Sequence, residues 1–350
     1  MSKKVRVGFV GAGGIAGTHI KWLQPVEGVE VVALADPLEG ACDRHIKTYG
    51  LDGAKAFTDY KQMLKMDDID AVSVCTPNWM HYKPTIEALK AGKHVLVEKP
   101  IAMTAREAAK MCDVAKATGK TLTIGFQQRF TPAAQFIRRA VDEGQLGDVM
   151  FVRAQALRRR GIPSWGVFGQ KKLQGGGPLI DIGVHIIEVS HYLLGKPRPV
   201  AASASCYTYL GDKKPEATAP WGDWDYKTYT VEDLACGFVR FENGATLAIE
   251  SSFAAHIEND IFATTLMGTK AGATWSGGSA RIFTDYCGKM VNIEPKVFEK
   301  EEGFARKMRN WIETVRGADN DAPGEDGLMV QKILDALYQS SEKGREVVIK

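Results

Sequence analysis

Val5-Arg-Val-Gly-Phe-Val-Gly-Ala-Gly-Gly-Ile-Ala-Gly17 is the stretch that decides the fold. Val5, Val7, Phe9 and Val10 make an apolar run of strand type. It breaks into Gly11-Ala-Gly13-Gly14, and an amphipathic pattern from Ile15 to Leu23 continues as a helix. In a strand–turn–helix of this kind Gly11 permits the tight turn, and Gly13 lets the backbone approach a pyrophosphate. The third position, here Ala16, has to be small where helix and strand pack. Backbone N–H groups of Gly13, Gly14 and Ile15, at the helix start, suit phosphate oxygens. Asp36 closes the next apolar run, Val29–Ala35, about 20 residues beyond Ala16, where a carboxylate accepts hydrogen bonds from both adenosine ribose hydroxyls and repels a 2′-phosphate. Pro37, Leu38, Glu39 and Gly40 follow, with no Arg among them, so the expected cofactor is NAD in preference to NADP.

At 350 residues the chain is long for one core, and two domains are expected. A net charge of +3 is too mild to point to nucleic acid. Cysteines 42, 75, 112, 206, 236 and 287 are scattered without a Cys-x-x-Cys pair. That spacing argues against a thiolate zinc site and a disulfide framework, and it fits a reducing cytoplasm. No apolar run approaches the roughly 20 residues of a membrane helix. The start, Met1-Ser-Lys-Lys before an apolar stretch, superficially resembles a signal peptide. The glycines would break its helix and no Ala-x-Ala site follows, so an intact cytoplasmic protein is expected.

Residues 4–124 alternate strand-like and helix-like patterns, the mark of a doubly wound parallel sheet with crossover helices. Strands are expected at Val5–Val10, Val29–Ala35, Ala71–Cys75, His94–Val97 and Thr121–Ile124. Helices are expected at Ile15–Leu23, Ala41–Tyr49, Trp79–Ala91 and Thr104–Thr118. After Gly125 the texture changes. A helix over Pro132–Glu143, a strand over Val149–Leu157 and a helix near Leu179–Leu194 precede alternating runs from Val200 to about Thr284. Those runs read as one large, open, mostly antiparallel sheet. Helices Phe304–Arg316 and Leu328–Ser341 and a short strand Val347–Ile349 close the chain. The expected division is residues 1–124 for the dinucleotide and 125–350 for an α+β substrate-binding and oligomerisation domain.

Ligands of doubly wound sheets sit at the carboxyl ends of the strands. Thr76-Pro-Asn-Trp-Met-His81 lies at one such end, with Asn78 placed to cap a helix. Glu98-Lys99-Pro100 lies at another, where a Lys points toward the nicotinamide end of a dinucleotide. A third group is Gly175-Gly-Gly-Pro-Leu-Ile-Asp-Ile-Gly-Val-His-Ile-Ile-Glu188. Helical spacing places Asp181 and His185 on one face, with Glu188 near it. These three are compatible with an exposed polar stripe, a helix-stabilising Asp–His pair or a carboxylate–His–carboxylate metal site. No cysteine or second clustered histidine supports the metal, and a general base His185 oriented by Asp181 is preferred.

On these motifs the sequence resembles the glucose–fructose oxidoreductase/inositol dehydrogenase/MocA family. The matching residues are Gly11–Ala16, Asp36, Thr76-Pro-Asn-x-x-His81, Glu98-Lys99-Pro100, Gly125-Phe-x-x-Arg129-Phe and Gly177-x-x-x-Asp181-x-Gly-x-His185. The closing Glu325-Asp-Gly…Ala336-Leu-Tyr…Gly344-Arg-Glu-Val segment resembles the family's end. The resemblance implies a Rossmann domain followed by an α+β domain, with NAD lying across the first and its nicotinamide facing the cleft beneath the second domain's sheet. Gly11, Gly13, Gly14, Ile15, Asp36, Thr76, Pro77, Asn78, His81, Glu98 and Lys99 are the implied cofactor-binding residues. Lys99, Asp181 and His185 match the catalytic set, and the bond to Pro100 is often cis in relatives. By that likeness a carbinol C–H gives hydride to nicotinamide C4 while its hydroxyl proton passes to Lys99 or His185. Many relatives have Asp where Glu188 stands.

Arg158, Arg159, Arg160, Trp165, Lys171 and Lys172 lie between a strand and the catalytic helix. They suit a polyhydroxylated ring as well as a solvated basic loop; Lys99, Arg158, Trp165, Asp181 and His185 are the expected substrate-binding residues. An aromatic loop containing Tyr207, Tyr209, Trp221, Trp224, Tyr226 and Tyr229 suits a sugar or a subunit interface equally. Relatives often pair through the open sheet, so a homodimer or homotetramer is expected. The leading function is NAD-dependent oxidation of a secondary hydroxyl of a sugar, sugar derivative or cyclitol. The alternative is a redox-neutral, NAD-dependent glycoside hydrolase or lyase working through a transient keto-sugar. A non-catalytic NAD-binding regulator is disfavoured by the intact Lys99, Asp181 and His185.

Overall fold

The computed structural model describes residues 4–350, and its chain divides into two compact units, residues 1–127 with 302–328 and residues 128–301 with 329–350. The first unit begins β1 (Val5–Val10), α1 (Gly14–Leu23), β2 (Val29–Ala35), α2 (Ala41–Tyr49), β3 (Lys55–Phe57), α3 (Tyr60–Met63) and β4 (Ala71–Val74). It continues α4 (Tyr82–Lys90), β5 (His94–Val97), α5 (Ala105–Thr118) and β6 (Leu122–Ile124). Six strands form one sheet in the order β3-β2-β1-β4-β5-β6, and every neighbouring pair is parallel. The order turns back between β1 and β4, the switch point at which doubly wound sheets receive ligands. Near-continuous burial of β1, β4 and β5 reflects helices on both faces.

Local structure departs from the sequence expectation at two places here. The three-residue β3 and the single turn α3 are additional, too short to show a period. The expected helix from Trp79 is two pieces. A 3-10 turn over Asn78–Met80 precedes α4, so Asn78 opens a turn after Pro77 instead of capping a helix. A helix from the far end of the sequence, Gly303–Val315, also belongs to this unit. Its Met308, Trp311 and Ile312 are buried in the same core as Phe9, Ile20, Leu23 and Leu34.

The second unit contains α6 (Pro132–Asp142), β7 (Val149–Leu157), α7 (Lys171–Gln174), α8 (Pro178–Asp181), α9 (Gly183–Leu193), β8 (Pro199–Tyr207) and β9 (Leu234–Phe241). There follow β10 (Thr246–Ser252), β11 (Ile261–Gly268), β12 (Gly272–Ser276), β13 (Ser279–Tyr286) and β14 (Lys289–Ile293). After the Gly303–Val315 helix (α10), α11 (Gly324–Lys343) re-enters this unit from Met329, and β15 (Val347–Val348) ends the chain. The sheet has nine strands in the order β14-β13-β12-β11-β7-β10-β9-β8-β15. Only β7 and β10 run parallel; the other neighbours are antiparallel. Strand β9 alternates buried and exposed residues, as expected of a sheet with one face on the core. Phe238, Met150 and Met267 are exposed, at 55%, 55% and 47%.

One continuous helix from Leu179 to Leu194 is not observed. The chain breaks at Ile182 between α8 and α9, and His185 N–H donates to Ile182 O, only three residues back. Asp181 and His185 therefore belong to consecutive helical segments, not to one regular i,i+4 face. Glu188 is buried against Arg129, with Arg129 Nε 2.6 Å from Glu188 Oε1 and the two side chains 2% and 1% exposed. The longer carboxylate at this position thus belongs to a buried ion pair. Among the described residues no helix is long and apolar enough to cross a membrane.

Candidate active site

The glycine-rich turn has the form its residues dictate. Gly11 has φ +90°, and a Cβ there would lie 2.7 Å from Cys75 O, so only glycine fits. Gly13 and Gly14 are exposed, with nothing within 4 Å of where a Cβ would stand, which leaves open space at the start of α1. Ile15 follows within α1, half-buried. Asp36 is tied to this turn directly: Oδ2 accepts from Ala12 N–H at 2.8 Å and Oδ1 from Leu38 N–H at 2.9 Å. Each carboxylate oxygen keeps further acceptor capacity for a ribose hydroxyl. His45 of α2, not singled out from the sequence, adds a third tie. Its Nε2 lies 2.9 Å from Ala12 O and 3.1 Å from Gly13 O. Open turn, helix start and oriented acid fit a dinucleotide.

The loops after β4 and β5 are joined by His81. Its buried ring places Nε2 2.8 Å from Thr76 O and Nδ1 2.6 Å from Pro100 O, while Thr76 Oγ1 donates to Met80 O. Burial pulls the His81 pKa down. Pro77 is exposed, Asn78 and Lys99 half-buried, and the Lys99–Pro100 peptide is cis.

Glu98 turns inward. Its Oε1 lies 2.9 Å from His19 Nε2 and 3.1 Å from Lys307 Nζ, and Lys307 Nζ is 3.0 Å from His19 Nε2. Its Oε2 accepts from Lys99 N–H at 3.2 Å. All three side chains are almost wholly buried, with exposures of 0%, 0% and 8% for His19, Lys307 and Glu98. Burial alone would raise the Glu98 carboxyl, but the Lys307 ammonium and the His19 bond outweigh it and hold it well below the usual range. Burial first, and the Lys307 charge second, bring His19 down to about 4. Gly125 makes room for this cluster, since a Cβ there would meet Glu98 Oε1 at 2.4 Å. The signal for Lys307 was a lysine in an apolar helical register, Gly303, Lys307, Trp311 and Thr314, all buried.

In the second unit Asp181 ends α8, buried, and His185 lies in the first turn of α9, half-buried. The three arginines diverge. Arg158, just after β7, is half-buried, with its guanidinium 4.4 Å from the centroid of the Trp221 ring and 5.5 Å from that of Phe253. Burial lowers its pKa, against the opposing charges of Asp181 and Asp260. Arg159 and Arg160 instead hold the 255–260 segment: Arg159 N–H donates to Asp260 Oδ1, and Arg160 Nη1 to Ala255 O. Trp165 is 55% exposed and its ring lies 5.5 Å from Trp221. Lys171 is paired on the surface with Glu342. Among the described residues no group of three or more His, Cys, Asp or Glu could hold a metal ion.

A six-stranded parallel sheet entered through a glycine turn, with an acid at the end of its second strand, is an NAD(P)-binding Rossmann domain. The chain belongs to the GFO/IDH/MocA oxidoreductase family. Residues 5–126 match its NAD-binding Rossmann domain and residues 138–349 its C-terminal α/β domain. It is accordingly an NAD(P)-dependent oxidoreductase of the type that acts on CH–OH groups. It is similar to the D-glucoside 3-dehydrogenase of Escherichia coli (strain K12), with 39% identity over 99% of this chain and 98% of that one. It also resembles the inositol 2-dehydrogenase of Rhizobium meliloti (strain 1021), with 26% identity over 99% of each. A solved levoglucosan dehydrogenase in complex with NADH and levoglucosan shares the fold. Its TM-score is 0.84, at 22% identity over 99% of this chain and 100% of that one.

Proposed function

We propose that this protein is an NAD-dependent dehydrogenase that oxidises a secondary hydroxyl of a D-glucoside. The observation that carries the sugar assignment is the 39% identity, over nearly the whole of both chains, to a D-glucoside 3-dehydrogenase. The choice of NAD over NADP rests on Asp36. With both oxygens oriented by backbone N–H groups at 2.8 and 2.9 Å, its carboxylate is aimed at the ribose hydroxyls and opposes a 2′-phosphate. Gly11, Gly13, Gly14, Ile15, Thr76, Pro77, Asn78 and Lys99 complete the cofactor-binding set. His81 and Glu98 serve it from inside the fold, by bracing the loops after β4 and β5. The first unit is the NAD-binding domain in this proposal and the second the substrate-binding domain.

Bound nicotinamide supplies the hydride acceptor. The rest falls to side chains. Lys99 hydrogen-bonds the reacting oxygen and stabilises developing alkoxide character. His185 takes the hydroxyl proton as general base, and Asp181 orients the imidazole and a neighbouring hydroxyl. Arg158, stacked on Trp221 and within the field of Asp181, binds ring hydroxyls, and exposed Trp165 stacks on the sugar. The exposed Phe238, Met150 and Met267 of the second sheet form the contact for a homodimer or homotetramer. Six free thiols suit a cytoplasmic protein. Steady-state assay of Lys99→Ala, Asp181→Asn and His185→Ala against NAD binding tests the assignment. Each should lose turnover, Asp181→Asn and His185→Ala while keeping NAD affinity within a few-fold and Lys99→Ala with weakened but measurable NAD binding; a variant with wild-type kcat removes that residue from the set.

A further inference from the structure

Glu232 lies outside the motifs that define the proposed catalytic set, in the segment entering β9, yet its carboxylate takes up the helix start that leads to Asp181. Glu232 Oε2 accepts from Gly177 N–H at 2.9 Å, and Oε1 accepts from Leu179 N–H at 3.1 Å and from Tyr338 Oη at 2.8 Å. Pro178 has no N–H to give. Two of the donors that a helix start leaves without intrahelical partners, Gly177 N–H and Leu179 N–H, are thus taken by one carboxylate, which Tyr338 holds in turn. Asp181 N–H closes back on Gly177 O at 3.0 Å, so the residue bearing the proposed orienting carboxylate hangs from the residue Glu232 holds.

The fit is close on every side. A Cβ at Gly177 would stand 2.1 Å from Glu232 O, and one at Gly176 would stand 2.0 Å from Tyr338 Oη, which accounts for the glycine pair before Pro178. Glu232 is 7% exposed, and burial raises its pKa against the three donors that favour the ionised form. The adjacent Asp233 acts likewise on another segment: its Oδ2 accepts from Tyr209, Leu210 and Gly211 N–H at 2.9, 2.7 and 2.7 Å. One buried dipeptide therefore anchors the start of the aromatic loop and the start of the Asp181 helix.

We infer that Glu232, with Tyr338, is a positioning residue for the dehydrogenation, fixing Asp181 through the α8 helix start. This rests on the proposed role of Asp181. A misplacement of an orienting group by about 1 Å can lower a rate on the order of a hundredfold.

The test compares wild type, Glu232→Gln and Tyr338→Phe, all as full chains, with NAD and a D-glucoside that the wild type oxidises. A glutamine keeps the shape but turns an N–H donor toward one of the two backbone N–H groups. Its kcat should fall by about ten- to a hundredfold with NAD affinity unchanged. The deuterium isotope effect on kcat, read with substrate labelled at the oxidised carbon, should rise as C–H cleavage becomes more rate-limiting. Tyr338→Phe keeps both carboxylate–backbone bonds and should lose about threefold, less than Glu232→Gln because the helix start stays held, with the isotope effect moving the same way. Wild-type kcat in Glu232→Gln overturns the inference. So does a fall fully matched by a loss of NAD-binding sites with the isotope effect unmoved, which is partial unfolding. If Glu232→Gln does not fold, Tyr338→Phe decides, and wild-type kinetics there refutes the inference. Full activity in Asp181→Asn would instead overturn the underlying role of Asp181, and the inference would fall with it.

Discussion

Lys307→Met removes the ammonium from the His19–Glu98–Lys307 cluster while keeping most of the side-chain volume. In the native protein Glu98 Oε1 sits 3.1 Å from Lys307 Nζ and 2.9 Å from His19 Nε2, with Glu98 and Lys307 8% and 0% exposed. Water cannot replace the lost partner. Removing one member of a buried ion pair typically lowers stability by about 3–5 kcal/mol, because the other charge stays desolvated. That is a large part of the roughly 5–15 kcal/mol that holds a domain together. The double variant Lys307→Met/Glu98→Gln leaves no orphaned charge and should recover most of the loss, giving a coupling of about 2 kcal/mol or more in the cycle. Urea unfolding at neutral pH reads this as a lowered midpoint with unchanged slope. The sign with pH is also fixed. Wild-type Glu98 has a depressed pKa, so its contribution is present above the unfolded value and lost as pH falls through the folded one. Without Lys307, burial raises the carboxyl instead, so the gap between wild type and variant should narrow on acidification. A single-variant loss below about 1 kcal/mol, or a double variant no better than the single, would refute this view of the cluster.

Three further outcomes follow from the geometry. With His19 lowered from 6.5 to about 4, the unfolded chain binds the extra proton between those values. Stability should therefore decline as pH falls from 6.5 toward 4, by up to about 3 kcal/mol from this residue, and His19→Asn should flatten that slope in a pH series of melts. In the proposed NAD site, Asp36→Ala removes the carboxylate contact to ribose, on the order of 1.5–3 kcal/mol net for hydrogen bonding to a charged group. The NAD dissociation constant should rise about ten- to a hundredfold by fluorescence titration, and the preference over NADP should shrink; an unaltered preference contradicts the role of Asp36. Gly11→Ala forces a Cβ to within 2.7 Å of the Cys75 carbonyl at a φ of +90°. It should lower stability by about 1–3 kcal/mol and weaken NAD binding, and unchanged melting would refute the requirement for glycine at this turn.

The elements legible in sequence are those whose pattern is local. Val5–Val10 and Ile15–Leu23 announce themselves by an apolar run, a glycine turn and a helical stripe, and the structure has a strand over Val5–Val10 and a helix over Gly14–Leu23. Asp36 is legible because its spacing from the turn reflects a strand's length, and its bonds to Ala12 and Leu38 supply the reason. The break at Ile182 is not legible, because the helical apolar spacing of Leu179, Ile182, Ile186 and Val189 continues across it. Gly183 leaves a tight approach there, 3.2 Å from Pro178 O to a would-be Cβ. Glu98 and His81 look, in sequence, like polar groups at strand ends facing solvent or ligand. Glu98 turns inward because Lys307 and the gap at Gly125 receive it; His81 because the Thr76 and Pro100 carbonyls do. Glu232 and Tyr338 are not legible for the same reason: they act on the residue-177 turn from 55 and 161 positions away in the chain.

The most direct measurement of the proposed activity is absorbance at 340 nm with NAD and a panel of D-glucosides, inositols, aldoses and anhydrosugars, with sugar consumption followed by chromatography. One NADH per molecule of a D-glucoside consumed, with Lys99→Ala inactive but still binding NAD, is the expected result. Consumption of a glycoside without NADH would contradict net dehydrogenation and identify redox-neutral chemistry through a transient keto-sugar.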